Sequence, residues 1–172
     1  MKLIKEINRD NPVLSKTYVQ INEGETYLQK LLFYTSDTEG ELFIPEGIED
    51  IETYCFAGRN YHIYHFPKSL KELGEGLFSA EYSLRPWFTV KIIFDGTSEE
   101  FINLGQGKAE EVCESDGYDH YPYYSGGSRW VTVYHTFDKD TESIEVECLG
   151  DGVTLLYGYK NRKGCEPPKI KQ

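Results

Sequence analysis

Two stretches of the chain carry one apolar pattern. A shift of 22 residues lays LFIPEGIEDIETYCFAG (Leu42 to Gly58) on YHFPKSLKELGEGLFSA (Tyr64 to Ala80). Pro45 then meets Pro67, Ile44 meets Phe66, Ile48 meets Leu70, Ile51 meets Leu73 and Phe56 meets Phe78. Self-similarity at this period marks arrays in which each unit is one coil, unable to bury its apolar side alone. Each unit reads as a strand, a proline, and then apolar positions that turn inward. Proline ends the strand because it has no N–H for the ladder. The expected elements are therefore strands that stack coil on coil, with Pro45 and Pro67 at equivalent corners.

The flanks alternate with period two and predict hairpins. KTYVQI and TYLQKLLFYT surround the turn NEGE; RWVTVYHTF and SIEVECL surround DKDTE; GDGVTLLYGYK follows across LGDG. Strands in these places would cap the coils and cover their edges. Residues 110–128 are polar and turn-rich and predict a long loop, and the segment from Gly164 onward predicts a loose tail. The expected organisation is one compact domain in three parts. Residues 1–34 form an N-terminal hairpin cap, 35–109 the coils, and 110–172 the loop, C-terminal hairpins and basic tail.

Composition agrees with a β-rich protein. Of 172 residues, 15% are aromatic, with 14 Tyr and 9 Phe, and such residues favour pleated, half-buried surfaces. The net charge of −11 disfavours direct nucleic-acid binding, since it repels phosphate. The charge is also uneven. Between Asp95 and Asp119 eight acids, Glu110, Glu111, Glu114 and Asp116 among them, face Lys108 alone. That run reads either as a solvated loop or as a surface that imitates nucleic acid. No apolar run is long enough to span a bilayer, and no signal-peptide pattern opens the chain, which favours the cytoplasm. The four cysteines lack metal-ribbon spacing. Cys55 fits a buried, inert position. An oxidising compartment would still admit a Cys113–Cys148 or Cys148–Cys165 disulfide.

The repeat resembles the BspA-like leucine-rich repeat, whose coils read strand–IP–apolar–apolar–AF. YTSDTEGELFIPEGIEDI is similar to that family's entry into a first coil. VKIIFDGTSEEFINL (Val90 to Leu104) is similar to its last coil, and YYSGGSRWVTVYHTFD to its capping strand. The resemblance spans about Leu31 to Asp138 and departs from the pattern at AEYSLRPWFT, which lengthens the second coil. It implies a mainly β fold: a short leucine-rich-repeat solenoid of two full coils and one partial, flanked by β-hairpins. It also implies a bacterial or phage protein that binds other proteins without catalysis.

Candidate chemistry is sparse. His62 and His65 are three apart, which in a strand places them on opposite faces. His120 lies near Asp116 and Asp119 without the spacing of a calcium loop. No nucleophile elbow, zinc-protease motif or phosphate-binding loop is present. The expectation is a non-enzyme with no cofactor and no metal site.

Surfaces offer more. Counted from the prolines, Phe43 and His65 share a level that Ile93 continues. This column suits an anchor for a partner or a seat for a flanking hairpin. The Tyr-rich loop of Tyr118, Tyr121, Tyr123 and Tyr124 suits recognition or packing. The functional expectation is a protein-binding module with these residues at its contact surface. The rivals are an acidic inhibitor using residues 95–119 and a structural subunit of an assembly. The sequence leaves partner identity and oligomeric state open.

Overall fold

The computed structural model describes residues 1–33, 39–59, 61–74, 77–78, 89–106, 109–114, 129–134, 143–158 and 168–172. The protein is mainly β, with a large mixed sheet. Its strands are β1 (Lys2–Glu6), β2 (Lys16–Gln20), β3 (Tyr27–Leu28), β4 (Glu41–Phe43), β5 (Asp50–Ile51), β6 (Ile63–Phe66), β7 (Glu72–Leu73) and β8 (Thr89–Phe94). Helix α1 (Ser98–Gln106) follows, then β9 (Ala109–Glu114), β10 (Arg129–Tyr134), β11 (Ser143–Cys148), β12 (Val153–Gly158) and β13 (Lys169–Ile170). Eight strands form one sheet in the order β1-β2-β4-β6-β8-β11-β12-β13; β3, β5 and β7 form a second, and β9 pairs with β10.

The offset of 22 in sequence becomes a register in space. Leu42 lies opposite Tyr64 in the large sheet, and Ile51 opposite Leu73 in the small one, both in parallel pairs. Backbone bonds repeat with it. Ile48 N donates to Pro45 O at 3.4 Å, and Leu70 N donates to Pro67 O at 3.5 Å. The two prolines thus open equivalent turns. Between these turns the Ser69 hydroxyl accepts from Gly47 N at 2.9 Å and donates to Ile48 O at 2.7 Å, tying one turn to the next.

Side chains alternate across each strand, so one set points between the sheets. The row Thr17–Leu42–Tyr64–Ile92–Val146–Leu155 crosses six strands and is buried throughout. Leu28, Ile51 and Leu73 form the matching buried row of the small sheet. Phe33, Phe56, Tyr61 and Phe78 join this core as edge-on and offset ring contacts. Each fully buried Leu or Phe contributes about 2 kcal/mol of transfer free energy, and the repeat multiplies it.

Several local expectations are corrected. The N-terminal hairpin does not join β2 to the strand beyond NEGE. β1 pairs antiparallel with β2, and β3 leaves for the small sheet, parallel to β5. The inward residues of this part, Thr17 and Leu28, sit under Leu42 and Ile51, so the stacking needs them there. β10 pairs with β9 and not with β11, because β11 instead takes a parallel place beside β8. The segment read as a loop from residue 110 therefore opens within a strand. The expected tail supplies β13, which pairs with β12. The LGDG hairpin between β11 and β12 stands as expected.

Helix α1 lies in the stretch that resembles a last coil, where the repeat predicts no helix. Thr97 and Glu100 form a capping box: Thr97 N donates to Glu100 Oε2 at 2.7 Å, and Glu100 N donates to Thr97 Oγ1 at 3.3 Å. Phe101 then enters the core against Phe94 and Tyr157. Asp151, in the LGDG turn, accepts from Ser98 N at 3.0 Å and from the Ser98 hydroxyl at 2.7 Å. Gly150 allows that approach, since a Cβ there would lie 2.7 Å from the Gly96 carbonyl carbon.

Candidate interaction face

The side of the large sheet away from the small one carries the alternate residues. Parallel strands put equivalent residues about 4.8 Å apart, so flat side chains at equivalent positions stack at the strand spacing. One row runs Ile4–Tyr18–Phe43–His65–Ile93–Glu147–Thr154. Tyr18 stacks on Phe43 with centroids 4.8 Å apart and planes 18° from parallel. Phe43 stacks on His65 at 3.9 Å and 9°. Tyr18, Phe43, His65 and Ile93 are each half-buried, so every ring keeps part of its surface accessible.

The neighbouring row runs Glu6–Lys16–Glu41–Ile63–Lys91–Glu145–Leu156–Lys169 and alternates in charge around Ile63. It meets the ring row diagonally. Glu41 Oε2 lies 2.6 Å from His65 Nε2, and Glu147 lies 3.3 Å from the Lys91 ammonium. Lys16 Nζ stands 6.0 Å from the Phe43 centroid, at the outer limit of a cation–π contact. His65 is thus held on three sides, by Phe43, Ile93 and Glu41.

Phe43, His65 and Ile93 come together in one row. Tyr18, Lys16, Glu41 and Lys91 join them although sequence reasoning did not single them out. The alternation of KTYVQI marks Tyr18 as a strand residue, but its strand lacks the proline that anchors the count. Glu110, Glu111 and Glu114 lie on β9, with Cα partners Val133, Thr132 and Arg129. Asp116, Tyr118, Tyr121, Tyr123 and Tyr124 lie outside the described residues, as do His120 and Asp119. His62 is exposed just before β6, and its backbone N donates to Gly40 O at 2.7 Å.

Among the described residues, no group of three His, Cys, Asp or Glu side chains could hold a metal ion. No helix among them is long and apolar enough to cross a membrane. Cys55 and Cys148 are free, buried thiols, so the disulfides considered through Cys148 are not formed. Burial pushes both thiols up from their ordinary range, Cys148 to about 11. Comparison with protein-family models, with curated proteins and with solved structures gave no match.

Proposed function

We propose that the chain is a non-catalytic protein–protein interaction module, and that its docking surface is the row Tyr18–Phe43–His65–Ile93. In this reading β2 to β8 are stacked coils of a short leucine-rich-repeat solenoid of the BspA-like kind. The 22-residue offset and the repeated turn at Pro45 and Pro67 support it.

The observation that carries the function is the stack of partly accessible rings on an outward sheet face. Aromatic side chains already fixed by their neighbours lose little entropy on binding, which makes them economical anchors. The mixed charges beside them, Lys16, Glu41, Lys91 and Glu145, would form a polar rim that sets orientation more than affinity. The fitting partner presents an apolar, aromatic or arginine side chain flat against the rings.

The test is capture from an extract of the source cells by the wild-type chain and by Phe43→Ala, with unfolding midpoints checking that both are folded. A partner retained by the first and lost by the second supports the proposal. Equal recovery by both overturns it. A partner lost instead on neutralising Glu110, Glu111, Glu114 and Asp116, with steep salt dependence, moves the function to the acidic run.

A further inference from the structure

We propose that two copies of this chain pair antiparallel along β1, in a single register centred on Ile4. This does not rest on the function proposed above. Strand β1 is the outer strand of the large sheet, with β2 on one side and no partner strand on the other among the described residues. Its sequence is Lys-Leu-Ile-Lys-Glu, and Lys2, Ile4 and Glu6 are exposed, Ile4 to 44%. Such an edge either repels a second strand or specifies one.

Two-fold pairing that keeps both open faces on one side requires directly opposed residues of equal parity, which leaves few registers. Centred on Ile4, it sets Lys2 opposite the second copy's Glu6, twice over, and the two Ile4 side chains against each other. Centred on Lys5 it would oppose two lysines. Centred on Leu3 it would set Lys2 against Ile4 and satisfy no charge. Only the Ile4 register converts all four exposed charges into opposite-sign pairs. It also places Glu6 between Lys2 of the second copy and Lys16 of its own, its neighbour in β2. The row from Ile4 through Tyr18, Phe43 and His65 would run on into its own symmetry mate.

A five-residue ladder falls short of the roughly 1,200 Å² of a standard interface, so the dimer is weak, with a dissociation constant on the order of 100 µM. Sedimentation equilibrium over about 10 µM to 1 mM brackets that range. The wild-type chain is expected to dimerise across it. Lys2→Glu puts like charges opposite each other and weakens the dimer at least about tenfold. It spares contacts within the chain, because Lys2 faces neutral Gln20 in β2. Glu6→Lys does the same from the other side. An equimolar mixture of the two variants restores both opposite-sign pairs and recovers association as a heterodimer.

A wild-type chain that stays monomeric throughout overturns the proposal. So does Lys2→Glu dimerising as wild type, or a mixture no better than its components. Thermal unfolding shows whether Glu6→Lys, which sets a like charge opposite Lys16, is folded; if it is not, Glu6→Gln replaces it and recovers half the effect.

Discussion

Phe43 and His65, 22 residues apart, lie face to face with centroids 3.9 Å apart and planes 9° from parallel. Nothing local in the chain brings them together; the 22-residue repeat does, by making them partners in neighbouring parallel strands. The stack also fixes the His65 ring so that Nε2 meets Glu41. A double-mutant cycle of Phe43→Ala and His65→Ala is expected to show a coupling of about 1 kcal/mol in urea unfolding. Additive losses would mean that the rings merely share a surface.

Gly40 makes the first parallel pairing possible. Its φ is +85°, and a Cβ there would lie 2.0 Å from Ser15 O, the carbonyl that accepts from Glu41 N at 2.9 Å. The obstacle is backbone on both sides, so no rotamer change relieves it. Gly40→Ala is expected to cost about 3 kcal/mol or more, near the upper end of single-residue effects. Denaturant midpoints measure this. A loss below about 1 kcal/mol would show that β2 and β4 part easily.

What could be read from the sequence follows from what repeats. The register of Phe43 and His65 is legible because the prolines mark equivalent corners, and Ile93 continues it two residues before Asp95. Burial of Cys55, Tyr61 and Tyr64 follows from the same count. The places of β2 and β3 are less legible because the spacing drifts there. Thr17 lies 25 residues before its partner Leu42, and Leu28 lies 23 before Ile51, with no proline to fix the phase. Tyr18 therefore has no place in a count made from the prolines. The pairing of β9 with β10 is a choice between distant partners, which alternation cannot make. Helix α1 does announce itself through Thr97 and Glu100, a capping box inside the stretch that resembles a last coil. The reach of Asp151 to Ser98 spans 53 positions and has no local signature.

That reach predicts a pH dependence. The Ser98 hydroxyl, then the Ser98 backbone N–H, hold the Asp151 carboxyl below the usual range. The Thr97 backbone N–H does the same for Glu100. In the unfolded chain these groups titrate near pH 4, above their native values. At intermediate pH the unfolded state therefore binds more protons, and stability rises with pH. Their contribution is complete above about pH 5 and is lost as pH falls through the native values. Asp151→Asn should shrink the acid loss of denaturant midpoint between about pH 5 and pH 3 relative to wild type. An unchanged acid limb would mean that the turn and the helix open together before the carboxyl protonates.

The buried thiols predict the opposite limb. Burial, and next the nearby Asp151 charge, raise the Cys148 thiol to about 11, whereas an unfolded cysteine ionises near 8.5. The unfolded chain thus gives up its proton first. The stabilisation is whole below about pH 8.5 and declines as pH rises toward the native value. Cys148→Ala should flatten this decline while lowering stability at neutral pH by about 1 kcal/mol, the loss of a small buried group. Cys55, also pushed up by burial and packed under Leu28, is shielded in the same way. Thiol labelling at pH 7.5, read by peptide mass, should modify Cys55 and Cys148 only after denaturant is added. Rapid labelling of Cys148 in the native protein would show that the β11–β12 hairpin opens away from β8, and would count against the tight seat of Gly150 on Gly96.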